Sequence, residues 1–328
     1  IDGSGYLSDY AHVNAADDVQ RMYVGYVDPN YRTLVDGYQA LPLTLARKFT
    51  EAGGHLEKNA RLSRVDRTRD DGRDLMVLHF QGAEGPYTVR ARHVVLAMPW
   101  RSLDLLDKSS FMFADKGFVE DMGSVIPIPA VKMHLAYETN WWGKLGLSSG
   151  RSLADLPLRQ CLYFGTEKDA IGGEAGNNRS LLKATYADMG LAGYWKRIQT
   201  RSPEPYPSRG DVPAGLECSA AAVAAIQSQL SLVHGVPVPG PYWAVFQDWS
   251  RDPFGGGWHF WKVGRKSWEV MPRIRRPIAG APLYICGEAY SDAQGWVEGA
   301  LRTAEHVLRD QLGLTRPAWM PADAVLGP

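Results

Sequence analysis

Apolar residues recur at helical spacing in three parts of the chain. The first predicts an amphipathic helix that ends at Gly53 and Gly54, and its apolar stripe consists of Leu41, Leu43, Leu45, Ala46 and Phe49. The second, SAAAVAAIQSQLSLVHG, predicts a helix capped by Ser219 and closed by Gly235. The third follows a polar loop and runs from Val297 to Leu308. A weaker helical pattern covers NAADDVQRMYVGYV, residues 14–27.

Strand patterns fill residues 55–100 and return near residue 283. Turns at DDGRD and GAEG divide the first region into three or four short predicted strands. Its last strand, HVVLAMP, is wholly apolar and stops at Pro99, which predicts a central strand buried on both faces. Near residue 283, PLYICGEA predicts an apolar strand directly before Gly287.

The middle of the chain, from about residue 101 to 280, has a different character. Trp, Gly and Pro are dense there, the periodicity is mixed, and RSPEPYPSRGDVPAG predicts a surface loop over residues 201–215. The two ends therefore resemble α/β pieces that enclose an inserted domain, and we expect the functional site where these parts meet.

Composition excludes several classes of protein. The chain has 328 residues, and its 36 basic residues balance its 36 acidic ones, so nothing indicates nucleic acid or an acidic membrane as a partner. Three widely spaced cysteines predict buried thiols, and no metal-ligand spacing appears. There is no apolar run of the ~20 residues that span a bilayer and no signal peptide, so we expect a cytoplasmic protein.

The junction at residues 283–308 carries candidate chemistry. Gly287 has no Cβ, so a phosphate or ribityl chain could approach its backbone N–H. The following helix begins with unpaired N–H groups and a positive dipole end, which favour an anion. Trp296, between two glycines and beside Gln294 and Glu298, is poorly explained by core packing.

These residues carry a resemblance to a known family. GEAYSDAQGWVEGALRTAE closely resembles the carboxy-terminal FAD-binding segment of the flavin-containing amine oxidases, which include monoamine oxidases, L-amino-acid oxidases and bacterial amino-acid monooxygenases. Other segments match in the same order: DGYQALPLTLARKFTEAGGHLEKNARLSRVDR, RHVVLAMP, IPAVKMHLAYETNWW and DWSRDPFGGGWHFW. The resemblance covers most of residues 36–312 and is strongest to phenylalanine oxidase, lysine monooxygenase and tryptophan monooxygenase.

The resemblance implies an α/β fold. We expect an incomplete FAD-binding Rossmann-like domain of the glutathione-reductase type, with an inserted α+β substrate domain built on a mixed sheet. The expected boundaries are an entry segment at 1–35, FAD-binding parts at 36–100 and 281–314, the substrate domain at 101–280, and a tail at 315–328. A reduced flavin carries negative charge at N1 and O2, which the helix end after Trp296 would stabilise.

Catalytic and substrate-binding roles follow from the same resemblance. Lys132 would hold a water at flavin N5 and assist reoxidation by O2. The carbonyl of Gly295 would bind the substrate amine, and Trp296 would form one wall of an aromatic box. Tyr163 would bind the substrate carboxylate together with an arginine in a part of the family fold that this chain lacks. Arg159 is nearby in sequence, but we expect it at the surface or in an ion pair.

Further roles concern the cofactor and the pocket wall. Trp258 stands where monoamine oxidases have the cysteine that attaches FAD, so we expect non-covalent FAD. His259 matches the second aromatic wall or is an ordinary hydrogen-bonded histidine, and Trp261 is a weaker candidate for the pocket. The complete set of expected cofactor contacts is Gly287, Glu288, Gly295, Trp296, Val297, Leu62 and Trp258.

The dinucleotide fingerprint of the family, G-x-G-x-x-G after a strand, is absent. GSGYLS at residues 3–8 fits only its opening, because no apolar strand precedes it and Ser8 replaces the last glycine. We therefore expect a second chain or a cleaved amino-terminal segment to complete the FAD site, and a homo-oligomer of that heteromer. A truncated chain that is inactive alone is the alternative.

The expected reaction is FAD-dependent oxidation of an L-amino acid. Hydride passes from Cα to flavin N5, O2 reoxidises the flavin, and the imino acid yields keto acid and ammonia alongside hydrogen peroxide. Three alternatives stay open: a 2-monooxygenase that forms an amide by oxidative decarboxylation, a primary-amine or polyamine oxidase, and a non-catalytic binding subunit. The sequence does not identify the preferred side chain.

Overall fold

A computed structural model describes residues 13–17, 19, 34 and 36–321. The GSGYLS segment and most of the weak helical pattern at residues 14–27 lie outside these residues. Contacts within the described part divide it into two compact units. The sheet unit contains Ile128–Gly257, and the split unit contains residues from 13 to 127 and from 258 to 321.

The elements follow one another in the chain as follows. Residues 40–128 form α1 (Ala40–Glu51), β1 (Arg61–Asp70), β2 (Arg73–Gly82), β3 (Gly85–Ala91), β4 (Val94–Ala97), α2 (Trp100–Asp104), α3 (Lys116–Met122) and β5 (Val125–Ile128). The sheet unit continues with β6 (Ala130–Tyr137), β7 (Gly150–Leu153), β8 (Gln160–Thr166), β9 (Ser180–Asp188), α4 (Met189–Arg201), α5 (Ala220–His234) and β10 (Trp243–Asp248). The split unit resumes with β11 (Trp258–Trp261), α6 (Ser267–Arg275), β12 (Leu283–Cys286) and α7 (Val297–His306).

Three small sheets build the split unit. Strands β1, β2 and β3 form an antiparallel sheet, and the predicted DDGRD turn is present with Asp71 and Gly72 both at positive φ. Strand β12 pairs with β4 in parallel, from Leu283 beside Val94 to Cys286 beside Ala97, and β11 pairs with β5. The parallel pair confirms that residues 94–97 and 283–286, far apart in sequence, belong to one α/β piece.

Apolar surface stays exposed on two elements of the split unit. Helix α1 lies where its stripe predicted it, but none of its residues is buried, and Leu43 and Phe49 are 62% and 51% exposed. In β4, Val94 and Leu96 are buried whereas Val95 is 39% exposed. The prediction that β4 is buried on both faces is therefore wrong, because alternate side chains of a strand point to opposite faces and only one face is covered.

The sheet unit is built on five strands in the order β10-β6-β9-β8-β7. Every neighbouring pair in this sheet is antiparallel, so the predicted mixed sheet is wrong. The six residues between β7 and β8 are too few for the crossover of a dozen or more residues that a parallel pair would need. Helix α5 confirms its predicted ends, since Ser219 Oγ accepts the N–H of Ala222 and Gly235 is left-handed.

The compact units change at residues 128 and 258, whereas the domain boundaries expected near 101 and 280 stay a prediction. Residues 101–127 and 258–280 belong to the split unit. In its core, Leu103, Phe118 and Ile274 pack with Leu96 and Leu283. The three cysteines, Cys161, Cys218 and Cys286, are buried and free, as predicted. Within the described ranges, no helix has the length and apolar character needed to cross a bilayer.

Candidate active site

The loop between β12 and α7 is shaped by two glycines at positive φ. Gly287 has φ 143° and Gly295 has φ 82°, conformations that residues with a Cβ rarely adopt. The Gly287 N–H donates to Thr303 Oγ1 at 2.9 Å. The contact of this N–H with a phosphate or ribityl chain stays a prediction, and the bond to Thr303 weighs against it, so the absent Cβ is the feature that supports close approach at this residue.

Glu288 links the loop to β11. One carboxylate oxygen accepts the N–H groups of Gly295 at 2.6 Å and His259 at 3.0 Å. The other lies 2.7 Å from His259 Nδ1. Because a carboxylate has about four acceptor positions, Glu288 keeps capacity for a further donor. The sequence named Glu288 and His259 separately and did not predict this pair, which is 29 residues apart in the chain.

His259 is an interior residue. Its side chain is fully buried, and its Nε2 atom has no hydrogen-bond partner among the residues described. With Nδ1 donating to Glu288, Nε2 is an acceptor. Two roles were predicted for His259. The role of a hydrogen-bonded histidine agrees with this geometry, whereas the role of an aromatic pocket wall does not, because no part of the imidazole ring is exposed.

Strand β11 begins with Trp258 and ends with Trp261, and the two side chains have different surroundings. Trp258 is half-buried and packs on Phe260, with 4.4 Å between ring centroids. Trp261 is buried in the core, and its Nε1 donates to the carbonyl of Ser291 at 3.1 Å. Trp261 is therefore a core residue of the split unit; its role as a pocket residue stays a prediction, and its burial weighs against it.

The N-terminus of α7 is open. Trp296 is the N-cap residue in extended conformation, and no side chain caps this end in the described structure. Trp296 and Val297 are 53% and 44% exposed. A helix end of this kind combines unpaired N–H groups, a positive dipole end and apolar surface. Leu62, the remaining predicted cofactor contact, is half-buried on β1 against the core.

Lys132 lies in β6 of the sheet unit and is half-buried. Its Nζ is 4.7 Å from the centroid of the Tyr186 ring and 5.6 Å from that of Trp249, distances at which a cation is attracted to the ring faces. Burial lowers the pKa of Lys132, and the negative charge of Asp188 opposes this shift. Asp188 itself forms a buried ion pair with Arg159, which confirms the ion-pair expectation for that arginine.

Tyr163 lies in β8 and belongs to the core of the sheet unit. Its hydroxyl is 2.6 Å from Ser152 Oγ and 2.5 Å from His234 Nε2. Because His234 Nδ1 contacts the carbonyl of Leu230 at 2.7 Å, the imidazole donates there and accepts from Tyr163 at Nε2. The role of Tyr163 at a substrate carboxylate stays a prediction, and these protein partners weigh against it.

The sequence is similar to a known protein family and to individual proteins over most of its length. The family profile described as "Flavin containing amine oxidoreductase" matches residues 9–203. Aplysianin-A of Aplysia kurodai is 28% identical over 85% of this chain and 51% of its own length. L-amino-acid oxidase 4 of Hebeloma cylindrosporum is 23% identical over 91% of this chain and 46% of its own length.

Solved structures show the same fold. Wild-type putrescine oxidase bound to putrescine has a TM-score of 0.59 at 16% identity, over 85% of this chain and 53% of that one. A triple mutant of putrescine oxidase reaches a TM-score of 0.62 at 17% identity. The chain spans about half the length of the relatives it matches. The match of the profile to more than half of the chain shows that it belongs to the flavin containing amine oxidoreductases.

Proposed function

We propose that this chain supplies the substrate-binding part and the carboxy-terminal FAD-binding part of an FAD-dependent L-amino-acid oxidase. The observation that carries the proposal is the N-terminus of α7, which no side chain caps in the described structure and where Trp296 and Val297 expose apolar surface. An isoalloxazine ring has apolar faces and, when reduced, a negative edge, and this combination of surface and dipole suits both.

The surrounding residues fit a non-covalent FAD. Gly287 and Gly295 lack side chains that would obstruct a cofactor, and Glu288 retains acceptor capacity toward a ribityl or ribose hydroxyl. Trp258 cannot form a thioether bond to the flavin. Trp296, Val297 and Leu62 complete the set of residues that would hold the cofactor.

When bound, FAD supplies the hydride acceptor for the substrate Cα and the route by which electrons reach O2. In this chain, the carbonyl of Gly295 accepts a hydrogen bond from the substrate amine, and Trp296 packs against the substrate. Lys132 holds a water molecule through its ammonium group, and that positive charge stabilises negative charge that develops on oxygen. The aromatic rings of Tyr186 and Trp249 keep this ammonium in place.

A second polypeptide, or a segment cleaved from the same precursor, would provide the dinucleotide fingerprint. The apolar side chains of Leu43, Phe49 and Val95 support this part of the proposal, since they lie exposed on α1 and β4. Such surfaces are typical of interaction sites. We refer to this chain together with that polypeptide as the complete enzyme, and we propose that it forms homo-oligomers.

Amino acids are preferred to plain amines in this proposal because a relative named an L-amino-acid oxidase matches 91% of the chain, whereas the likeness to putrescine oxidase concerns the fold alone. The test uses the complete enzyme under anaerobic conditions. L-phenylalanine should bleach the flavin absorbance near 450 nm, and phenethylamine should do so far more slowly. Bleaching by phenethylamine alone would identify an amine oxidase, and no bleaching by any amine or amino acid would refute oxidation.

Trp296 gives a sharper variant test. Trp296→Ala removes the proposed substrate wall and should raise KM for L-phenylalanine about 10-fold or more, a loss of roughly 1.4 kcal/mol of binding. Trp319→Ala, at a residue that is 79% exposed and outside the proposed site, serves as the matched control. Equal kinetics in Trp296→Ala and the parent enzyme would remove Trp296 from the substrate site.

A further inference from the structure

The five-stranded sheet of the sheet unit has one apolar face in the core, and its opposite face carries several basic residues among apolar ones. Val131, Met133 and Leu135 of β6 point into the core. Residues that alternate with them, Lys132 and His134, point to the opposite face, which we call the second face. Their half-buried state differs from the full exposure usual for basic side chains on an open sheet.

The register of the strands aligns three basic residues across this face. Arg151 of β7 is paired with Leu162 of β8, Leu162 is paired with Lys183 of β9, and Lys183 is paired with His134 of β6. Paired residues on neighbouring strands have Cα atoms about 5 Å apart. Lys132, two residues from His134 on the same strand and face, adds a fourth basic side chain.

Nearby carboxylates form ion pairs with other residues, although the charge of Asp188 also acts on Lys132. Asp188 pairs with Arg159, and Asp248 pairs with Lys196 at 2.9 Å. Within the residues that the structure describes, Lys183 is within ion-pair distance of no carboxylate, and the same is true of its neighbours on the second face, His134 and Lys132.

The electrostatic consequence concerns Lys183 and His134, which have no carboxylate within ion-pair distance among the described residues. Burial and the charge of Lys132 lower the pKa of Lys183 to about 8. Burial and the charges of Lys183 and Lys132 lower the pKa of His134 to about 4. A bound anion would raise the pKa values of Lys183 and His134, because it compensates the neighbouring positive charges that oppose protonation.

We propose that Lys183 and His134 bind a second carboxylate on the substrate, so that the complete enzyme prefers dicarboxylic L-amino acids. This inference rests on the proposed function, which puts Lys132 of the same face at the reacting centre. His134 and Lys183 lie two residues further along the strands, about 7 Å by the rise of a β-strand. The α-carboxylate is bonded directly to the reacting carbon, whereas a side-chain carboxylate can extend over this distance.

A binding experiment tests the anion site without the flavin. Lysines of the full chain are dimethylated with ¹³C-formaldehyde and a borane reductant, which preserves their charge, and the Lys183 signal is assigned by its loss in Lys183→Arg. At constant ionic strength, glutarate should raise the titration midpoint of Lys183 by about one pH unit, and the neutral glutaramide should not. No shift with glutarate, or the same shift with glutaramide, would overturn the anion site.

A kinetic experiment on the complete enzyme tests the substrate preference. L-glutamate and L-glutamine have the same shape and differ in side-chain charge, so their ratio of kcat/KM isolates the proposed contact. Lys183→Met should lower kcat/KM for L-glutamate about 10- to 100-fold, as expected for a lost charged hydrogen bond, and should change that for L-glutamine little. Lys183→Arg should retain the preference, and Lys168→Met, at an exposed lysine of the same unit, should behave like the parent enzyme.

The outcomes separate the two proposals. Equal losses with L-glutamate and L-glutamine in Lys183→Met would overturn the role in specificity while leaving the oxidase intact. Absence of flavin reduction by any amino acid, with the glutarate shift present, would refute the proposed oxidase and leave an anion site of another function.

Discussion

Glu288 is the residue whose removal tests the local structure of the candidate site most directly. Its carboxylate accepts the backbone N–H groups of His259 and Gly295 and the Nδ1–H of His259. Glu288→Ala leaves both His259 groups without partners in the interior, and each such group costs about 1–3 kcal/mol. We therefore expect the free energy of unfolding of the split unit to fall by about 2–6 kcal/mol. Glu288→Gln keeps an acceptor for the N–H groups and should cost about 1–2 kcal/mol.

The assay combines urea unfolding with amide hydrogen exchange. Exchange at His259 and Gly295 should accelerate in Glu288→Ala, which reports on the split unit by itself. Glu298→Ala is the matched control, because Glu298 is exposed on α7 and forms an ion pair with Arg302, so its loss should change stability by no more than about 0.5 kcal/mol. A cost in Glu288→Ala below about 0.5 kcal/mol, with unchanged exchange at both amides, would refute the network as a stabilising element.

Three further predictions concern other parts of the chain. The pKa of His134 is about 4 in the folded chain against 6.5 for the free side chain, so the unfolded chain binds more protons between these values and stability should fall as pH drops from 6.5 to 4. Urea midpoints of the parent chain and His134→Leu across that range check this, and parallel curves would contradict it. A Cβ at Gly257 would lie 1.8 Å from the carbonyl of Ile128, whereas one at Gly264, with the same φ of 75°, meets nothing within 4 Å; Gly257→Ala should therefore cost about 3 kcal/mol or more and Gly264→Ala about 1 kcal/mol in urea unfolding. Lys132→Met should slow flavin reoxidation in the complete enzyme roughly 100-fold with flavin reduction largely intact, and equal reoxidation in stopped flow would remove Lys132 from the mechanism.

Local features of the fold could be predicted from the sequence because their causes are local. The cap of α5 needs only Ser219 and the N–H three residues later, and its end needs only Gly235. The hairpin between β1 and β2 depends on Asp71 and Gly72, whose residue types tolerate positive φ. Each of these determinants lies within a few residues of the structure it sets.

Features that depend on strand pairing could not be predicted in this way. Lys183 and His134 are neighbours only because β9 pairs with β6, with a register shift between Met133 and His134. Without that shift, different residues of β9 would lie beside His134 on the second face of the sheet. The pairing of His259 with Glu288 likewise depends on how β11 meets the loop after β12, which no sequence spacing encodes.

Burial was the least predictable property, because it depends on what covers an element as well as on its own residues. The apolar runs of α1 and β4 each predicted burial, and the described part of the chain covers neither completely. Under the proposed function, a second polypeptide covers these surfaces and at the same time brings the dinucleotide fingerprint to the end of α7.

Burying one half-exposed leucine, valine or phenylalanine contributes about 1 kcal/mol, so Leu43, Phe49 and Val95 together link assembly to stability. Any ligand that binds only the assembled form then stabilises the assembly by mass action. The complete enzyme should consequently hold FAD and its partner polypeptide together, and removing FAD by dialysis should weaken the association of the two polypeptides measured by sedimentation. Association that is equally strong with and without FAD would show that burial of the apolar surfaces is not coupled to binding of the cofactor.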